Sequence, residues 1–290
     1  MTQRKLAIIS DFHFDANSFD ARDLAIFDQL LQNEQVTDLH FAGDMSNDFH
    51  GLTLPFFDKM SNKYDLSYNL GNHDMLGMSE AEINERDFLI KPLESNKTLL
   101  AFNGWYDYSF YTGDNTKITH FKNNFYFDRK IIREFDDIAT TEQILVRLDQ
   151  VLSELKGQVI VIMHFVPDRH FIFPAALKKF AKFNAFLGSE KFHQLFLKYP
   201  NVSDVVFGHV HHRFPSTQID GINYHARPLG YSYDWKMVDS FLNEFPEYRI
   251  ADTFNLRKRY NSIKKSPEWF EFRASNLMSE FYSAMTFFDI

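Results

Sequence analysis

The chain has no cysteine among its 290 residues, which excludes a disulfide framework and any zinc–thiolate site. No apolar run approaches the roughly 20 residues that span a bilayer. Basic charge is not in excess: 31 Lys and Arg face 39 Asp and Glu, for a net −8. Nonspecific nucleic-acid binders show the opposite balance, so no stable nucleic-acid binding is expected. A nuclease stays open, because metals and a local basic patch can hold phosphate. No internal repeat or low-complexity segment stands out. Met1 to Lys5 lead straight into a first strand that carries Asp11, so a cleaved signal is not expected and a cytoplasmic location is. What remains is a globular composition, 44% hydrophobic and 24% charged, long enough for one large domain with a substantial core.

Five short hydrophobic runs each end in a carboxylate, an amide or an imidazole. Leu6-Ala7-Ile8-Ile9-Ser10 is followed by Asp11-Phe12-His13, and Leu39-His40-Phe41-Ala42 by Gly43-Asp44. Another run ends in Gly71-Asn72-His73-Asp74. Val159 to Met163 precede His164, and Val205-Val206-Phe207 precede Gly208-His209-Val210-His211. Near-continuous apolar runs of this length suit strands covered on both faces. Ligands cluster just past the carboxyl ends of such strands. Asp11, His13, Asp44, Asn72, His164, His209 and His211 offer only oxygen and nitrogen, a set that suits Mn, Fe, Zn or similar divalent ions. Seven donors exceed one tetrahedral site but suffice for two ions if a carboxylate bridges. Two ions roughly 3.5–4 Å apart are the usual arrangement for in-line displacement at phosphorus.

The ordered set Asp-x-His, Gly-Asp, Gly-Asn-His-Asp, His, Gly-His-x-His resembles the calcineurin-like metallophosphoesterase superfamily, from about Leu6 to His211. The resemblance implies an α/β fold, a four-layer α/β/β/α sandwich of two mixed sheets. It implies two divalent metals per chain, manganese first, with iron, zinc or magnesium as alternatives. Asp11, His13 and His211 would hold one ion; Asn72, His164 and His209 the other; Asp44 would bridge them. His73 would assist the leaving group, a role an imidazole can fill near neutral pH. The implied activity is hydrolysis of a phosphate mono- or diester by a hydroxide bridging the two ions. Protein phosphatases of the superfamily carry Gly-Asp-x-x-Asp-Arg-Gly. Here Asn47 replaces the Asp and no Arg follows, which argues against that branch. Asp48 is one place late, and Asp74 is a second candidate to orient His73. A nuclease or nucleotide-specific phosphodiesterase is the alternative enzyme. A metal-free interaction module on the same fold is the alternative of another class, and metal analysis separates it from the enzymes.

Along the chain, apolar spacing predicts helices over residues 19–33, 52–63, 79–91 and 140–156. Ser79 to Glu82 reads as a capping box. Residues 98–103 and 105–111 read as a hairpin turning at Asn103-Gly104, and Ile222 to Ala226 as a late strand. Residues 1–231 form the expected catalytic domain. Residues 232–290, rich in aromatics, form a mainly helical C-terminal extension with helical spacing from Trp269 to Phe287, serving as packing, a lid or a homo-oligomer contact. Arg169, His170, His212, Arg213 and Arg227 are the candidate substrate contacts for a small phosphorylated molecule, a nucleotide among the options. The bland alternative for each is an ordinary surface side chain.

Overall fold

The computed structural model describes residues 4–290. Among the described residues ten strands form two sheets: β1 (Lys5–Ile9), β2 (Asp38–Ala42), β3 (Asp65–Asn69), β4 (Leu89–Pro92), β5 (Lys97–Phe102), β6 (Gln158–Met163), β7 (Val202–Phe207), β8 (Thr217–Ile219), β9 (Ile222–Ala226) and β10 (Met285–Asp289). The first sheet runs β10-β1-β2-β3 and the second β4-β5-β6-β7-β9-β8. Both are mixed. β1, β2 and β3 pair in parallel, as do β5, β6, β7 and β9, while β10, β4 and β8 are antiparallel.

Alternation along each strand divides the core into layers. Leu6 and Ile8, Ala42, Leu99 and Ala101, Ile162 and Val206 pack between the sheets with Ile290. The intervening residues face helices: Phe41 meets Phe57 at 5.1 Å, and Phe102 meets Phe192 at 5.6 Å. The apolar runs are continuous because both faces of each strand are covered. The result is the expected four-layer sandwich.

Helix Ala21–Asn33 is closed at its start by a reciprocal box between Asp20 and Asp23, and it buries Phe27, Leu30 and Leu31. Helix Leu54–Ser61 opens with Pro55 in its first turn. Helix Asp137–Glu154 starts at the Asp136 cap and buries Ile144, Leu148 and Leu152. No helix among the described residues is long and apolar enough to cross a membrane.

Three expected elements differ from the observed ones. The helix predicted over 79–91 is only Glu80–Glu85; Phe88 takes φ +61 and the chain turns into β4. β5 therefore forms its hairpin backward with β4, Leu89 opposite Ala101, rather than forward across Gly104. Residues 105–111 are not a strand. Trp105 and Tyr108 instead hydrogen-bond Asp137 in the first turn of its helix. In the tail, helix Pro267–Ser283 stops short, and Met285–Asp289 becomes β10 against β1.

The tail is held by buried charge. Arg213 pairs with Glu280 at 2.5 Å, and Glu280 also accepts from the backbone amides of Lys236 and Met237. Glu280→Ala leaves the buried Arg213 charge without its counter-ion, although its N–H groups keep Pro228 O, Leu229 O and Ser283 Oγ; losing one partner of a buried pair typically costs about 3–5 kcal/mol. Chemical denaturation should show that loss; a change under about 1 kcal/mol would mean the ion pair holds nothing.

Candidate metal centre

All the strand ends that carry the sequence motifs meet at one place. The loops are cross-tied by backbone: Asp11 N donates to Gly43 O (3.0 Å), His13 N to Asp44 O (3.0 Å), and Gly230 N to Asp11 O (3.1 Å). Five of the seven donors occupy left-handed backbone: Asp11 (φ 56), His13 (φ 45), Asp44 (φ 57), His209 (φ 66) and His211 (φ 50). Such conformations cost of order 1–3 kcal/mol each and persist where the surroundings over-determine them, most often at functional sites.

Asp11, His13, Asp44 and His211 form one cluster of converging ligand atoms, and Asp44, His164 and His209 form a second. Asp44 belongs to both. His13 Nε2 faces His211 Nε2 at 3.0 Å, and His211 Nε2 lies 3.1 Å from Asp11. His164 Nε2 lies 3.3 Å from Asp44. Three of the imidazoles are oriented from behind: His164 Nδ1 by Ala42 O (3.1 Å), His209 Nε2 by Phe186 O (3.0 Å) and His211 Nδ1 by Asp234 (3.2 Å). Fixing one ring nitrogen leaves the other as the ligand.

Burial would raise Asp11, but His211 holds it at about 2. Burial alone would lower His164 and His211; Asp44 lifts the first to about 9, and Asp11 with Asp234 lifts the second to about 10. His209, buried beside His164, falls to about 3. Cations bound here would displace any protons these donors carry.

The residues fit divalent cations. Asn72 Oδ1 and His164 Nε2 are buried with no hydrogen-bond partner in the protein. Buried polar atoms are otherwise almost always satisfied. The hard and borderline donors suit Mn, Fe, Zn or Mg.

Two glycines let the loops approach this closely. A Cβ on Gly71 would lie 2.2 Å from Asp44 Oδ1, and one on Gly208 would lie 2.1 Å from Asp11 Oδ2. Gly71→Ala should therefore lose metal affinity and activity together, by at least the roughly 10–100-fold that follows disturbance behind metal ligands. Metal titration of the variant is the check; parental affinity would show that the loop relaxes freely.

His73 stands beside the cluster. Its backbone N–H donates to Asp44 Oδ1 (2.8 Å), its Nδ1 meets Asn47 Oδ1 (2.9 Å), and its Nε2 lies 3.4 Å from the Tyr231 hydroxyl. The Tyr231 ring stacks on His13 at 4.2 Å. Asp74 corrects an expectation. It does not orient His73, because its carboxylate accepts from the backbone amides of Asp44, Met45, Ser46 and Gly71 and organises the loops. Burial and Asp44 push Asp74 up to about 7. Asn47, where related phosphatases carry Asp, orients His73 instead.

The five expected substrate contacts have partners outside the cluster. Arg169 pairs with Glu190 and His170 with Asp168, both side chains exposed. His212 packs edge-on against Phe214. Arg213 is spent on the tail and the Pro228 and Leu229 carbonyls, and Arg227 donates to Met285 O. Sequence reasoning missed Asp128, Tyr231 and Asp234. A polar island at Tyr231–Asp234 just past β9 was a usable signal for the latter two; Asp128 had none.

Residues 4–213 match the calcineurin-like phosphoesterase family. The chain belongs to that family and is a phosphoesterase by class. Among solved structures it is similar to the phosphopantetheinyl hydrolase of Mycobacterium tuberculosis: 17% identity, TM-score 0.61, covering 81% of this chain and 92% of that one. It is also similar to a dimetal phosphatase from Danio rerio: 17% identity, TM-score 0.48, covering 78% and 87%. At these identities the likeness is one of fold. No curated protein sequence matches the chain.

Proposed function

We propose that the chain hydrolyses a phosphate mono- or diester with two divalent cations, manganese the favoured metal. Asp11, His13 and His211 would hold one and Asn72, His164 and His209 the other. The observation that carries this reading is Asp44, whose carboxylate belongs to both ligand clusters. When bound, such ions supply Lewis-acid activation of water and neutralise charge building on phosphoryl oxygens. The chain's own groups do the rest. Asn47 accepts from His73 Nδ1–H and so leaves Nε2 for the leaving oxygen; Nε2 delivers a proton only from the imidazolium, which burial disfavours and the Asp44 carboxylate favours. The Tyr231 hydroxyl sits beside that nitrogen. Asp74 holds the amides of the Asp44 loop in register. The loop with exposed Arg169 and His170 directly follows His164 and is proposed to contact the rest of a small phosphorylated substrate.

Residues 1–231 carry every proposed ligand, and the tail is proposed as packing that completes the first sheet through β10. The test of the reaction is hydrolysis of nitrophenyl phosphate against the bis-nitrophenyl diester, with added manganese. Faster diester cleavage directs the search to nucleotide diesters and to phosphopantetheinyl groups, the latter because one structural neighbour is named a phosphopantetheinyl hydrolase. Faster monoester cleavage directs it to phosphorylated metabolites. Turnover of neither, by metal-loaded protein, would count against the reading.

A further inference from the structure

One turn reaches the metal centre from outside the strand-end loops. Residues Phe127–Lys130 form a single 3-10 turn after helix Asn115–Phe125. Phe127 lies flat against His73, ring centroids 4.0 Å apart at 18°. Tyr126 stacks on Phe186 at 4.1 Å, the residue whose carbonyl holds His209. Between these contacts, fully buried Asp128 accepts a hydrogen bond from Asn72 Nδ2 at 2.8 Å.

An asparagine amide has two different ends on one planar group. The oxygen can bind a cation; the NH2, a donor only, cannot. Burial pushes Asp128 up to about 7 against the Asn72 N–H, which holds it down; above that pH it is a carboxylate that accepts hydrogen bonds and donates none. The NH2 of Asn72 is therefore the end that faces Asp128. The Asn72 oxygen is turned the other way, where it is buried without a protein partner. Flipping the amide would press two oxygens together and bury the NH2 unsatisfied, a cost of about 1–3 kcal/mol for the unmade hydrogen bond alone.

We infer that Asp128 is a positioning residue that selects the cation-binding end of Asn72, and so tunes the ion held by Asn72, His164 and His209 but not the other. The inference rests on the two-cation reading above. It places part of the metal site's tuning in a segment that carries none of the family's motif residues.

Calorimetric titration of the metal-stripped full chain with Mn2+ tests it, with thermal melting as the fold check. The unaltered chain should bind two ions. Asp128→Leu should weaken one of them by roughly 10–100-fold and leave the other unchanged. Asp128→Asn keeps an acceptor and should lose less. Phe127→Leu, in the same turn, should keep both affinities. If Asp128→Leu does not fold, Asp128→Ser removes the long acceptor at lower steric cost and carries the same expectation. Two unchanged affinities in the folded variant would overturn the inference while leaving the two-cation reading intact. Equal weakening of both ions, or the same one-site loss in Phe127→Leu, would also overturn it, since the turn as a whole would then be responsible. Fewer than two ions on the unaltered chain would overturn the reading itself and the inference with it.

Discussion

Asp44→Asn is expected to abolish phosphoester hydrolysis while the protein still folds. Asp44 Oδ2 lies 3.3 Å from His164 Nε2 and 3.8 Å from His13 Nε2, one in each ligand cluster, and Oδ1 accepts from the His73 amide. The amide keeps the shape and removes the charge that the two proposed cations would share. The loss should exceed the roughly 10–100-fold that changes behind the ligands produce. Steady-state hydrolysis of a nitrophenyl ester, with metal content measured on the same sample, is the check. Activity within tenfold of the parent would remove Asp44 from the bridging position.

His73→Ala is expected to keep both metals and lose roughly 10²–10⁴-fold in kcat, the usual worth of a positioned acid. The residue donates its backbone amide to Asp44 and its ring meets the His13 ring edge-on at 4.9 Å, but its ring nitrogens go to Asn47 and the Tyr231 hydroxyl and its face packs on Phe127. If its work is to protonate the leaving oxygen, the loss should be largest for an alkyl ester and smallest for nitrophenol, which departs readily as an anion. Equal loss on both leaving groups would point to charge stabilisation instead. Loss of a metal ion would place His73 in the ligand shell and contradict its assignment.

The clustering of the candidate ligands was legible because its information is local. A strand buried on both faces writes a continuous apolar run, and the loop that ends it must place a donor within a residue or two. The geometry adds what no spacing shows: left-handed backbone at five of those donors, and glycines whose missing side chains admit Asp44 and Asp11. What escaped was set by distant partners. Residues 105–111 alternate like a strand, but Trp105 and Tyr108 are drawn to the Asp137 carboxylate at a helix start. Met285–Asp289 continues a helical pattern, yet the open edge of β1 captures it as a strand. Asp74 looked like a catalytic partner because it follows His73. Its carboxylate instead turns to the four amides of the neighbouring loops. Asp128 sits 56 residues from Asn72, and nothing in the sequence around it announces the contact.

Metal content per chain after reconstitution and removal of loose ions tests the central claim most directly. Two divalent ions per chain, falling on Asp44→Asn, is the expected result. One ion or none on the folded, unaltered chain would contradict the shared-carboxylate site and the proposed reaction with it.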